Sequence, residues 1–117
     1  MKQLYSQLES PKIMSMQSSN IMKEGAQFTF VCSLEFGSLP IHFQWMKNDL
    51  VVPTNDRHMQ VQSIGEKKSL LSIEKVKASD SGNFTCNARN EFGIDSHVIQ
   101  LIVKGKESFN SSQAIIN

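Results

Sequence analysis

No stretch of these 117 residues stays apolar for the roughly 20 positions that a membrane-crossing helix requires, so direct membrane insertion of this segment is excluded. An excess of one charge sign is missing too: 12 Lys and Arg stand against 11 Asp and Glu, a formal net charge of +1. Without a basic excess there is little to draw the chain to phosphate backbones, and nucleic acid is not an expected partner. Cysteine is scarce, with two in the chain and no CxxC pair, which leaves no thiolate metal cluster. His42, His58 and His97 have no acidic partner at helical or hairpin spacing, so they read as surface histidines rather than as metal ligands or triad members. No phosphate-cradling glycine loop can be assembled either. The chain is therefore not expected to be an enzyme, to hold a cofactor or metal, or to bind a small-molecule substrate. Met1 to Ser10 carries only Leu4, Tyr5 and Leu8 as larger apolar residues, too few for the core of a secretory signal.

What the chain does have is period-two alternation in short runs separated by turn residues, the pattern of an all-β sandwich. Phe28, Phe30, Cys32 and Leu34 share one face of a run, while Gln27, Thr29, Val31 and Ser33 share the other. Ile41, Phe43 and Trp45 point inward in the next, followed by the turn group Lys47-Asn48-Asp49 and a short run ending at Pro53. Arg57 to Ser63 alternates, Gly65-Glu66-Lys67 turns, and Ser69 to Ile73 places Leu71 and Ile73 inward, with Val76 below them. Phe84, Cys86 and Ala88 face the core in a further run. A hairpin at Asn90-Glu91-Phe92-Gly93, with Gly93 expected at positive φ, leads to Ile99, Leu101 and Val103. A chain of this length has room for one core. The expected division is an N-terminal extension over 1–10, one domain over 11–104 and a tail or linker over 105–117.

Cys32, Trp45 and Cys86 have the spacing of an immunoglobulin-type sandwich. The segment Leu71-x-Ile73-x-x-Val76-x-x-x-Asp80-x-Gly82-x-Phe84-x-Cys86-x-Ala88-x-Asn90-x-x-Gly93 resembles the intermediate (I-set) class of immunoglobulin domains. The resemblance implies two sheets joined by one inter-sheet disulfide, Cys32 to Cys86, beside a core of Trp45, Phe84 and Leu71. Alternation independently puts both sulfurs on the core face. Closing a loop of about 55 residues is worth about 4 kcal/mol in the chain-entropy view. Phe84 departs from the family, which usually has a tyrosine there whose hydroxyl bonds to backbone near the turn before this strand. The resemblance also implies a structural ion pair between Arg57 and Asp80. Pro11-Lys12-Ile13, Glu24-Gly25, Gly37-Ser38-Leu39-Pro40-Ile41 and Trp45-Met46-Lys47-Asn48 further resemble the Dscam family of arthropod cell-adhesion receptors, including the shortened forms of chelicerates. That likeness implies homophilic recognition between cells, in neuronal wiring or immunity.

With the triplet committed to the core, activity belongs to the outward halves of the strands. Met14 and Met16, if they face outward from the first strand, join Val31 and Leu70 in an apolar patch on the sheet that the family letters A-B-E-D. The competing account makes about half of the methionines core fillers. The candidate interface is Met14, Met16, Gln27, Thr29, Val31, His58, Gln60, Lys68, Leu70 and Ser72, with an identical domain as partner in a homophilic homodimer. Asn83-Phe84-Thr85 and Asn110-Ser111-Ser112 are acceptor sequences for N-glycosylation. The expected setting is extracellular, within a single-pass cell-surface receptor whose signal and transmembrane segments lie elsewhere. Two alternatives stand beside it: an intracellular I-set spacer of a muscle or cytoskeletal chain, and a heterophilic ectodomain for a growth factor or microbial ligand.

Overall fold

The computed structural model describes residues 8–105. Nine strands follow in order: β1 Lys12–Ile13, β2 Ser19–Lys23, β3 Phe28–Phe36, β4 His42–Lys47, β5 Leu50–Val51, β6 Met59–Ile64, β7 Lys68–Ile73, β8 Gly82–Asn90 and β9 Gly93–Lys104. They form a four-stranded sheet in the order β1-β3-β7-β6 and a five-stranded sheet in the order β2-β9-β8-β4-β5. The two pack face to face because one side of each strand is apolar at every second residue. Phe28, Phe30, Cys32 and Leu34 of β3 meet Phe84, Cys86 and Ala88 of β8 and Ile99, Leu101 and Val103 of β9, all buried.

The centre of this core is a closed arrangement of four residues. Cys32 lies opposite Ser69 in the β3–β7 register, and Trp45 lies opposite Cys86 in the β4–β8 register. Two links then cross between the sheets: the Cys32–Cys86 disulfide, and a hydrogen bond in which Trp45 Nε1–H donates to Ser69 Oγ at 2.9 Å. Each link holds its own sheet pair in phase with the other. The Trp45 ring stacks on Phe30 with centroids 6.1 Å apart, and Phe84 tilts against Phe30 at 5.3 Å. An aromatic column thus fills the space beside the sulfurs.

The first strand does not run as one piece. β1 pairs antiparallel with β3, after which the chain crosses between the sheets, and β2 runs parallel to β9. Met14 still donates its N–H to Ser33 O, but Met16 lies in the crossing and packs against the core. The β4–β5 turn places Asn48 at φ 47 and Asp49 at φ 68, the paired positive angles of a two-residue type I′ hairpin that Asn and Asp tolerate well.

At the β8–β9 turn, Gly93 is required for a reason other than the expected positive φ. A Cβ there would lie 2.9 Å from Ser10 Cβ, so only glycine lets the N-terminal segment pass. Asn90 organises this end: its Nδ2 donates to Glu9 O and Ser38 O, and its Oδ1 accepts from the Phe92 and Gly93 N–H groups. Glu9 and Ser38 exchange two further bonds. Residues 9 and 10, assigned above to an extension, are therefore part of the folded domain.

Removing the Ser69 hydroxyl leaves the buried Trp45 N–H without an acceptor. Ser69→Ala is expected to lower the unfolding free energy by about 2 kcal/mol, read as a shift of the urea midpoint with an unchanged slope; a shift near zero would deny the cross-sheet bond its weight.

Candidate functional site

The outward face of the four-stranded sheet is built by the register that aligns its side chains. Thr29, Ser72 and Gln60 form one row across β3, β7 and β6, Val31, Leu70 and Gln62 the next, and Ser33, Lys68 and Ile64 the third. Because Cys32 and Leu71 face the core, Val31 and Leu70 must face out. Val31 is 44% exposed and Leu70 half-buried, with Met14 at 47% on the β1 side and Ile64 at 45% on the β6 side. These four make an apolar patch in which Val31 and Leu70 sit side by side, while Met14 and Ile64 fall at the two ends of the Ser33 and Lys68 row; Thr29, Gln60, Gln62 and Ser72 border it without charge on the other side. Lys68 brings a charge into the patch itself, as the register partner of both Ile64 and Ser33.

Two members of the expected interface are not on this face. Met16 is half-buried against the core, as its place in the crossing between sheets requires. His58 precedes β6, and its Nε2 lies 2.8 and 2.9 Å from the two carboxylate oxygens of Asp80. That contact also corrects the expected ion pair. Asp80 is 2% exposed and takes His58, together with the Lys77 N–H, as its partners, whereas Arg57 is exposed.

The reason lies in Asp56. Its Oδ1 accepts the N–H groups of both His58 and Met59, each at 2.8 Å, which turns the backbone so that residue 58 rather than 57 faces the 3-10 turn Ala78–Asp80. The Met59 N–H, more than the His58 N–H and charge, holds the Asp56 carboxyl below its ordinary value of 3.8, with burial opposing. His97 corrects a third expectation: it takes the inward phase of β9, and its Nε2 is buried without a partner among the described residues.

Two features escaped the sequence. Ile64 extends the apolar patch, one residue beyond the expected strand Arg57 to Ser63; the alternation Gln60, Gln62, Ile64 up to the Gly65 turn is its signal. The outward side of the five-stranded sheet carries a second apolar row, Val51, Met46, Thr85 and Val98, aligned across β5, β4, β8 and β9. Asn83 is exposed on that same face, while Asn110 lies outside the described residues. No described helix is long and apolar enough to cross a membrane.

Comparison with known proteins agrees with this architecture. The immunoglobulin domain family matches residues 10–90, and the chain belongs to it. The fibroblast growth factor receptor of Halocynthia roretzi is 37% identical over 84 residues, covering 72% of this chain and 10% of the receptor. The cell adhesion molecule DSCAM of Homo sapiens is 31% identical over 107 residues, covering 88% of this chain and 5% of that protein. The chain thus spans a tenth or less of either relative's length, and it resembles the Dscam family as its motifs do. An I-band fragment from titin superposes with a TM-score of 0.75 at 24% identity, over 83% of this chain and 34% of the fragment, a likeness of fold. Immunoglobulin domains of this kind occur in adhesion molecules and growth-factor receptors and are typically binding modules rather than enzymes.

Two measurements check the Asp56, His58 and Asp80 chain. His58→Ala strands a buried carboxylate and is expected to cost about 2 kcal/mol, against about zero for Arg57→Ala; equal effects would restore the arginine pair. The Asp56 carboxyl is lowered on folding, so its contribution is present above its unfolded value of 3.8 and lost as pH falls through the lower folded one. The stability gap between the parent and Asp56→Ala, measured from roughly pH 6 to pH 2, is expected to close in that acid range.

Proposed function

We propose that this chain is an extracellular recognition domain of a Dscam-like cell-adhesion receptor, and that it pairs with an identical domain through the outward face of β1, β3, β6 and β7. The observation that carries the reading is the apolar patch of Met14, Val31, Leu70 and Ile64, bordered by uncharged Thr29, Gln60, Gln62 and Ser72 on one side and carrying a charge at Lys68 on the other. A two-fold axis through such a face sets each residue against the same or a neighbouring residue of the partner. Like charges would then repel, whereas Val31, Leu70 and the surrounding amides and hydroxyls can pack and hydrogen-bond with copies of themselves. The closed Cys32–Cys86 bond supports an oxidising compartment. A cytosolic spacer role would be favoured by free thiols at both positions in protein taken from its native source, read by mass spectrometry without reduction.

One domain offers a modest patch, so the expected self-affinity is weaker than about 1 μM, with strength on cells coming from many copies. Sedimentation at rising concentration tests the reading. The parent is expected to associate, and Val31→Glu, which sets carboxylates against each other across the axis, is expected to remain monomeric. A parent that stays monomeric throughout, or a Val31→Glu variant that associates equally well, would sink the pairing.

A further inference from the structure

The row Val51, Met46, Thr85 and Val98 is a second apolar feature, and homophilic pairing through the other sheet leaves it unused. Val51 is 54% exposed and Val98 50% exposed, and both line up in register with the half-buried Met46 and Thr85. A row with exposed valines at its two ends and half-buried Met46 and Thr85 between them invites contact with another apolar surface. Some part of the mature protein has to cover it or tolerate it.

Asn83 lies beside this row. It faces out from β8 two residues before Thr85, about 6.6 Å along the strand. Its backbone is held at both ends by Asn48: the Asn83 N–H donates to Asn48 Oδ1 at 2.9 Å, and the Asn48 N–H donates to Asn83 O at 2.8 Å. Its own side-chain amide has no hydrogen bond among the described residues and is exposed, with Gln100 as its cross-strand neighbour. Asn83-Phe84-Thr85 is the acceptor sequence, and Phe84 points into the core, so folding leaves the asparagine and the threonine together on the outer face. A group attached there projects from a fixed point over the apolar row.

We propose that Asn83 carries an N-linked glycan whose inner sugars lie across Val98, Thr85 and Met46, covering the row and closing the five-stranded sheet to protein partners. The transfer joins Asn83 Nδ2 to C1 of an oligosaccharide supplied as a lipid diphosphate ester. The new N–C bond replaces the C1–O bond, the lipid diphosphate leaves with that electron pair, and the amide gives up one proton. The inference rests on the extracellular reading, since only export exposes the chain to that donor. It also explains how one sheet face is selected: the four-stranded sheet carries its apolar patch without an acceptor sequence on its outward positions, and remains open.

The chain, fused to a secretion signal and carrying Asn110→Gln to leave one acceptor sequence, is made in eukaryotic cells and its intact mass measured. One glycan mass is expected, lost in both Asn83→Gln and Thr85→Val and kept in Thr85→Ser. Thr85→Val retains Asn83, so agreement of the two losses separates a missing glycan from a misfolded domain. An unmodified Asn83 in secreted, disulfide-closed protein overturns the site. Enzymatic removal of the glycan is then expected to raise binding of an environment-sensitive apolar dye, with Val98→Thr reversing the rise; unchanged dye binding overturns the covering role. Neither readout depends on self-association. A modified Asn83 with an inert Val31→Glu substitution would therefore fail the pairing and keep the glycan, and the reverse outcome would do the opposite.

Discussion

The disulfide between Cys32 and Cys86 does more than lower the entropy of the unfolded chain. It joins two register pairs, Cys32 with Ser69 and Trp45 with Cys86, and the Trp45 to Ser69 hydrogen bond closes the figure from the other side. Side chains alternate with period two, so fixing one inward residue on each of four strands fixes the phase of all the others. A one-residue slip of β7 against β3 would carry Ser69 out of reach of the indole and drive Lys68 or Leu70 into its place. The outward identity of Val31, Leu70, Thr85 and Asn83 is therefore a consequence of the same four buried residues. Surface function here is specified from inside.

Where the side-chain phase decides the answer, the sequence was legible. The inward sets of β3, β7, β8 and β9 could be read from alternation because long strands repeat the signal several times, and Phe28 to Leu34 or Ile99 to Val103 leaves no second solution. Where the backbone turns, it was not. The split between β1 and β2 involves strands of two and five residues around a crossing, too short for alternation to place Met16. The Asp80 partner shifted from Arg57 to His58 because two N–H bonds to Asp56 rotate the chain by one residue, and no hydrophobic pattern records a hydrogen bond. Gly93 is legible as a turn residue, but the contact with Ser10 that requires it depends on a segment distant in sequence, which no local pattern records.

The loss of the expected tyrosine hydroxyl at Phe84 sits easily within this frame. Phe84 is fully buried against Phe30, so the ring does its packing work without the polar tip. The turn before β8 is held by other means: the Lys77 N–H and His58 both bond Asp80, Ser81 Oγ accepts the Val103 N–H, and Lys47 Nζ donates to Ser79 O. These contacts tie the turn to β4, to β9 and to the segment just before β6, distributing over several side chains what a single corner hydroxyl would hold.

The two outer faces differ in a way that bears on how one domain can be selective. Charge is sparse at the centre of the four-stranded face, where Val31, Leu70, Gln60, Gln62, Thr29 and Ser72 lie, and Lys12, Glu35 and Lys68 stand toward one end. Under a two-fold axis, off-centre charges need not meet themselves, and they can instead reject partners whose rim carries the wrong sign. Affinity then resides in the shared apolar centre and discrimination in the periphery. The five-stranded face has its apolar row nearest an acceptor asparagine, so a glycan there would remove the competing surface rather than add to recognition. If the domain pairs as proposed, these two features together would hold that pairing to the four-stranded face and so to one orientation.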